Sequence, residues 1–151
     1  EDCTLEGGSV IDGDGAVAGI LALSRSQGVD GPVSIENCTV ESGVTITASS
    51  GDRVVQALGG IVAYGMGSII NCTNGAELRA NFTKAQESRY VGGIAGRVNY
   101  FGENIITGCV NTGDITSTGG TIGGIAGTQD TGVEGTDKNV GIKKCYSIGN
   151  F

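Results

Sequence analysis

A short phrase returns four times along this chain: Val17-Ala-Gly-Ile-Leu-Ala22, Leu58-Gly-Gly-Ile-Val-Ala63, Val91-Gly-Gly-Ile-Ala-Gly96 and Ile122-Gly-Gly-Ile-Ala-Gly127. A second phrase alternates with it: Ile35-Glu-Asn-Cys38, Ile69-Ile-Asn-Cys72, Ile106-Thr-Gly-Cys109 and Ile142-Lys-Lys-Cys145, with Glu1-Asp-Cys3 as a truncated first copy. The cysteines stand at 3, 38, 72, 109 and 145, so the intervals are 35, 34, 37 and 36. A fixed period of this length is the mark of a stacked repeat, in which each unit buries its apolar side only against the next.

Each period offers short apolar segments separated by Gly, Asn, Asp and Ser, several of them β-branched, as in Val44-Thr-Ile-Thr47. They are too short for helices and carry no 3.6-residue period. Short strands between turns fit them. Three strands per period, each stacked on the same strand of the next period, make a parallel β-helix of about four coils, the number of Gly-Gly-Ile phrases. One coil per period is favoured over two small ones, because each period holds a single such phrase. A residue at a fixed repeat position then lies over its counterpart about 4.8 Å away. Ile20, Ile61, Ile94 and Ile125 form one inner stack and the cysteines another. The third apolar element is expected six positions after each cysteine, at Val44, Leu78, Ile115 and Phe151. In the first copy Val10 takes the role through a bulge. Three connections vary in length: Ser24–Ser34, Arg79–Tyr90 and Thr128–Gly141 read as surface inserts.

Composition bounds function more than it identifies it. Twenty-nine glycines and a single proline, Pro32, accompany a hydrophobic share of 38%, too high for a disordered polymer. A net charge of −7 with only nine Lys and Arg disfavours nucleic acid and anionic membrane surfaces as partners. The absence of His removes the commonest general base and metal ligand. No apolar run is long enough to span a bilayer. Glu1 opens inside one repeat phrase and Phe151 closes inside another. Residues 1–151 therefore read as a single solenoid domain taken from a longer protein.

Val91-Gly-Gly-Ile-Ala-Gly96, Cys109-Val-Asn-Thr-Gly-Asp-Ile-Thr116 and Cys145-Tyr-Ser-Ile-Gly-Asn150 resemble the GLUG repeat, whose pattern is a Val-Gly-Gly-Leu-Val-Gly phrase, an Ile-x-x-Cys/Ser-Tyr phrase and then x-Gly-Asp-Val. The resemblance covers most of the chain from Val17 onward. It is looser where alanine replaces glycine, at Ala18, Ala22 and Ala63. GLUG repeats occur in large bacterial surface and secreted proteins, including adhesin-like proteins and immunoglobulin A-cleaving metallopeptidases, where they flank other modules. The resemblance implies a right-handed β-helix, an extracellular or cell-surface location, neighbouring modules in the same chain, and host or matrix glycan or protein as partner. It carries no catalytic residue onto this sequence.

Candidate chemistry is sparse. A linear cysteine stack spanning roughly 19 Å cannot surround one metal ion. A buried free-thiol ladder is the favoured reading and a partial disulfide the second. Asp12-Gly-Asp-Gly15 reads as an acidic turn rather than a calcium loop, whose twelfth position would be Leu23. Polysaccharide-cleaving β-helix enzymes use clustered wall carboxylates. Here Asp114 has only Glu77 as repeat counterpart, on an expected turn, so no catalytic residue, metal or cofactor is assigned. Asn37, Asn71 and Asn81 match the N-glycosylation pattern; strand-end asparagines bonding locally explain them more simply. What remains is a contact patch at loop residue Tyr90 and at Tyr100 and Phe101 on the Arg97–Asn104 insert, since aromatics in loops are enriched at interfaces; capping of the core beneath a loop is the competing and favoured use of the same side chains. The expected function is a non-catalytic, rigid repeat module with loops available for contact. A fragment of a polysaccharide-active β-helix enzyme is the alternative.

Overall fold

Alternation within each short segment decides which side it buries. In Thr45–Ser49, Ile46 and Ala48 point inward while their neighbours are partly solvated, and Glu77–Asn81 repeats the pattern with Leu78 and Ala80 inside. The structure is a computed structural model that describes residues 1–24, 33–50, 55–65, 67–83, 88–98, 104–129 and 140–151. Among these residues every regular element is a β-strand.

One coil consists of five strands, Thr39–Val40, Thr45–Ser49, Val55–Gly59, Val62–Gly65 and Ser68–Ile70. Each pairs in parallel with its counterparts one period away, which gives five ladders, four of them four strands deep and the first one five deep. A four-stranded ladder steps three times, so the chain is a parallel β-solenoid of about three turns. The expected count of three strands per coil is corrected to five. The cysteine phrase carries a two-residue strand of its own after the corner, and the Gly-Gly-Ile phrase is where two strands meet rather than one wall.

The register shows that one period is one coil. Thr39 lies opposite Thr4 and Thr73, Thr73 opposite Val110, and Val110 opposite Tyr146. Inner rows follow, Ile35–Ile69–Ile106–Ile142 and Val17–Leu58–Val91–Ile122 among them. The Ile20–Ile61–Ile94–Ile125 stack forms as expected, joined by backbone bonds of 3.2, 3.0 and 2.9 Å. Its middle members are fully buried. Each such side chain contributes roughly 1.5–3 kcal/mol by leaving water.

The second ladder departs from the sequence reading. Ile46, not Val44, stands opposite Leu78, and Ile11, not Val10, stands opposite Ile46. Val10 is 74% exposed. The chain runs eight residues from Cys38 to Ile46 but six from Cys72 to Leu78. The longer corner contains Gly43 at φ 86° and tucks Val44 into the core. Nor is Arg79–Tyr90 wholly an insert, because its two ends lie in the strands Glu77–Asn81 and Ser88–Gly92. Asp12 and Asp14 likewise sit in a strand, Val10–Asp14, and not in a turn.

Inside the first ladder the apolar row Leu5–Val40 turns polar, continuing as Asn74, Asn111 and Ser147. Both asparagines are completely buried. Asn74 Nδ2 donates to Asn111 Oδ1 at 2.8 Å, and Asn111 Nδ2 donates to Ser147 Oγ at 3.1 Å and to the Gly113 carbonyl at 3.0 Å. The second glycine of each Gly-Gly-Ile phrase packs on this row. A β-carbon on Gly93 would overlap Asn111 Cγ and the Gly124 carbonyl oxygen, and one on Gly60 would overlap Asn74 Cγ and the Gly93 carbonyl oxygen.

The residue before each cysteine turns a corner in the left-handed region: Asp2 at φ 57°, Asn37 at 54°, Asn71 at 52°, Gly108 at 65° and Lys144 at 53°. Asp, Asn and Gly tolerate this conformation, whereas a long side chain is strained there. Lys144→Asn is therefore expected to raise stability by about 0.5–1 kcal/mol, read as an upward shift of the urea midpoint. An unchanged or lowered midpoint would count against this strain.

Candidate functional site

The outer wall carries one preorganised cluster, Tyr64, Tyr90 and Arg97. Arg97 lies in Ala95–Val98 and is paired in register with Tyr64, one coil earlier in the same row. Tyr90 reaches it from the adjacent ladder. The guanidinium carbon is 5.3 Å from the Tyr64 ring centroid and 5.2 Å from that of Tyr90. Each contact is a cation–π interaction worth about 0.5–1 kcal/mol at a partly exposed site. All three side chains are half-exposed, so the cluster is a fixed surface feature and not part of the core. Two rings restrict the long arginine side chain, which lowers the entropy lost when it meets a partner. Chemically this is a flat amphipathic surface with one held positive charge.

Tyr90 lies on the strand Ser88–Gly92 and not on a loop, and its ring meets Arg97. Tyr100 and Phe101 lie outside the described residues. Tyr64 and Arg97 were not singled out by sequence reasoning, although a signal exists. Each stands three positions after the isoleucine of its Gly-Gly-Ile phrase, as do Leu23 and Thr128. Residues on one such row become neighbours as soon as one coil per period is granted.

The cysteine stack is in place, and none of its sulfurs is bridged to another. The backbone N–H of Cys72 donates to Cys109 Sγ at 3.4 Å and that of Cys109 to Cys145 Sγ at 3.3 Å. Cys38, Cys72 and Cys109 are buried, but Cys145 is only half-buried and Cys3 is exposed, because the ends of a stack lack a covering rung. The expectation of a wholly buried ladder is corrected to its three middle members. Burial is the largest influence on Cys38 and pushes its thiol above the ordinary range. Cys72 and Cys109 titrate as a pair. Their shared contact is the largest influence on both, favouring charge on Cys72 at the expense of Cys109, and burial opposes charge on each. The groups bonded to these sulfurs are neutral, so as a unit the pair holds its protons upward. Native thiol labelling should modify Cys3 first and Cys145 more slowly, with the other three protected until unfolding. Rapid modification of all five in the folded protein would contradict the ladder.

The repeat counterparts Glu77 and Asp114 are neighbours in the fold, as their equal spacing from Cys72 and Cys109 implies. Leu78 lies opposite Ile115, which places Glu77 and Asp114 on neighbouring rungs. They line an open groove of about 260 Å³ together with Thr45, Thr112 and the glycines 43, 75 and 113. Both acids are engaged: Glu77 grips Arg79 through two bonds of 2.8 and 2.7 Å, and Asp114 Oδ1 accepts from Asn150 N and Nδ2 at 2.8 and 3.0 Å. Among the described residues no three His, Cys, Asp or Glu side chains converge as a metal site would require. Asn37 and Asn71 serve the left-handed corners, and Asn37 Nδ2 donates to Asp2 Oδ1 at 3.2 Å.

Comparison with models of known protein families, with curated proteins and with solved structures finds no match to this chain.

Proposed function

We propose that the chain is a non-catalytic repeat module of a bacterial cell-surface or secreted protein, a stiff stalk or adhesive scaffold that meets host or matrix glycan or protein through its outer wall. The finer architecture of this reading is a right-handed solenoid of four coils, as the GLUG resemblance and the four Gly-Gly-Ile phrases imply. The observation that carries the reading is the Tyr64–Arg97–Tyr90 cluster, aromatic and cationic side chains of the kind enriched at interfaces, held rigid on a ladder. Five ladders in register support the mechanical half of it, since bending such a wall breaks many backbone bonds together.

The second reading, a polysaccharide-active enzyme, draws on the Glu77 and Asp114 groove. Their present partners, Arg79 and Asn150, favour a structural use of both acids. A panel of neutral and acidic glycans, assayed for binding and for bond cleavage, separates the two. Binding without turnover that falls at least about tenfold in Arg97→Ala supports the scaffold reading. Turnover that is lost in Glu77→Gln or Asp114→Asn would overturn it.

A further inference from the structure

Charge is unevenly spread over the walls of this acidic chain. The strands of the first ladder are uncharged. Those of the second hold Asp12, Asp14 and Glu77 beside Arg79, and those of the fifth hold Glu36 and Lys143. Among the described residues, the strands of the third and fourth ladders hold no Asp or Glu, and their charged residues are Arg89 and Arg97. Arg89 is turned to the backbone and donates Nη1–H to the Phe82 carbonyl at 2.8 Å. Arg97 is half-exposed beside the Tyr64 and Tyr90 rings and gives this wall its outward charge. A chain of net charge −7 repels anions as a whole, so a cation fixed on an acid-free wall is where one can be held.

The groups around Arg97 set the kind of anion. One rung on, Thr121 lies in register with Tyr90, and Thr128 with Arg97. Thr121 is exposed and Thr128 half-exposed. Two rings, one guanidinium and two hydroxyls thus share two adjacent rows. A guanidinium has five N–H donors in a planar fork that matches a carboxylate. The apolar face of a sugar packs on an aromatic ring, and threonine hydroxyls can donate to or accept from its hydroxyls. The row Tyr64–Arg97–Thr128 advances about 4.8 Å per rung, close to the length of one sugar unit in an extended chain. An extended peptide would be held best at an open strand edge. Ala95–Val98 and Ser88–Gly92 are each paired on both sides, so this site offers side chains and no edge.

We infer that Tyr64, Arg97 and Tyr90, with Thr121 and Thr128, form a binding site for a glycan that carries sugar carboxylates. The carboxylate lies on Arg97 and the sugar faces lie on the tyrosines. The inference rests on the proposed role of the outer wall as the contact surface and narrows its partner to one chemistry.

Titration calorimetry with two matched pairs of glycans tests it: a hyaluronate hexasaccharide against its carboxyl-reduced form, and sialyllactose against lactose. The parent is expected to bind the acidic member about tenfold more tightly. The preference appears in the hyaluronate pair if the carboxylate is read within a chain, and in the sialyl pair if it is read at a terminus. Arg97→Gln should bring both members of the pair to the same affinity, and Arg97→Lys should keep part of the preference. Tyr90→Leu should weaken both members alike and leave the preference in place. The ratio within a pair is the readout, because a general loss of fold lowers both members together. Failure to bind either acidic glycan, equal affinity of the parent within both pairs, a preference that survives in Arg97→Gln, or tighter binding of oligoglutamate than of either acidic glycan would overturn the inference. Each of those results leaves the non-catalytic reading standing. Cleavage of hyaluronate with the Arg97-dependent preference intact would instead uphold the site and overturn that reading.

Discussion

Gly93→Ala is expected to destabilise the fold by about 3 kcal/mol or more, and to leave no cooperative native state if the margin is that of an ordinary small domain. The reason is space and not backbone freedom. A methyl group there would overlap Asn111 Cγ on one side and the Gly124 carbonyl oxygen on the other. Neither can retreat. Asn111 is bonded above and below within the buried row, and Gly124 belongs to the next coil's copy of the same corner. All four copies keep glycine at this second position, Gly19, Gly60, Gly93 and Gly124, whereas the first position accepts Ala18. Gly141→Ala is the matched control. Its β-carbon meets nothing within 4 Å, and its urea midpoint should stay close to that of the parent. Equal small effects from both substitutions would show that the corner is looser than described.

Asn111→Asp is expected to be nearly as damaging at neutral pH, about 3 kcal/mol or more, with a pH dependence that the parent lacks. Asn111 uses both ends of its amide: Oδ1 accepts from Asn74, and Nδ2 donates to the Gly113 carbonyl and to Ser147. A carboxylate keeps the first bond but turns a lone pair toward the Gly113 oxygen. The protonated acid restores a donor, so folding favours the neutral form and raises the pKa above the unfolded value of about 3.9. Below that value both states hold the proton and the variant is least impaired. As pH rises through it, the unfolded chain ionises first and stability falls by about 1.4 kcal/mol per unit until the folded-state pKa is passed. Melting temperatures of parent and variant should therefore diverge from acidic to neutral pH. A constant difference would mean that the side chain reaches solvent.

The two expectations involve residues of different legibility. Gly93 was conspicuous, because glycine recurs at this position in every copy. The isoleucine stack and the middle of the cysteine stack were legible for the same reason: one residue type returns at one spacing. Asn74 and Asn111 were not, because they share their inner row with Leu5 and Val40 and read locally as turn residues. Two-residue strands escape pattern reading altogether, since alternation needs more than one repeat to show. The shift of the second ladder was hidden in a corner two residues longer in one coil than in the next. Of the surface cluster, Tyr90 was visible as an aromatic. Its meeting with Arg97 depends on two ladders joining at a corner, which no linear spacing reports.

One coil per period is the claim on which the rows and the stacks both depend. Nuclear Overhauser contacts between backbone protons of neighbouring strands report it directly. In-register contacts are expected between Thr39 and Thr73, Thr73 and Val110, and Val110 and Tyr146, that is, at separations of 34, 37 and 36 residues. Strand contacts at about half these separations would mean two small coils in each period and would contradict the fold described.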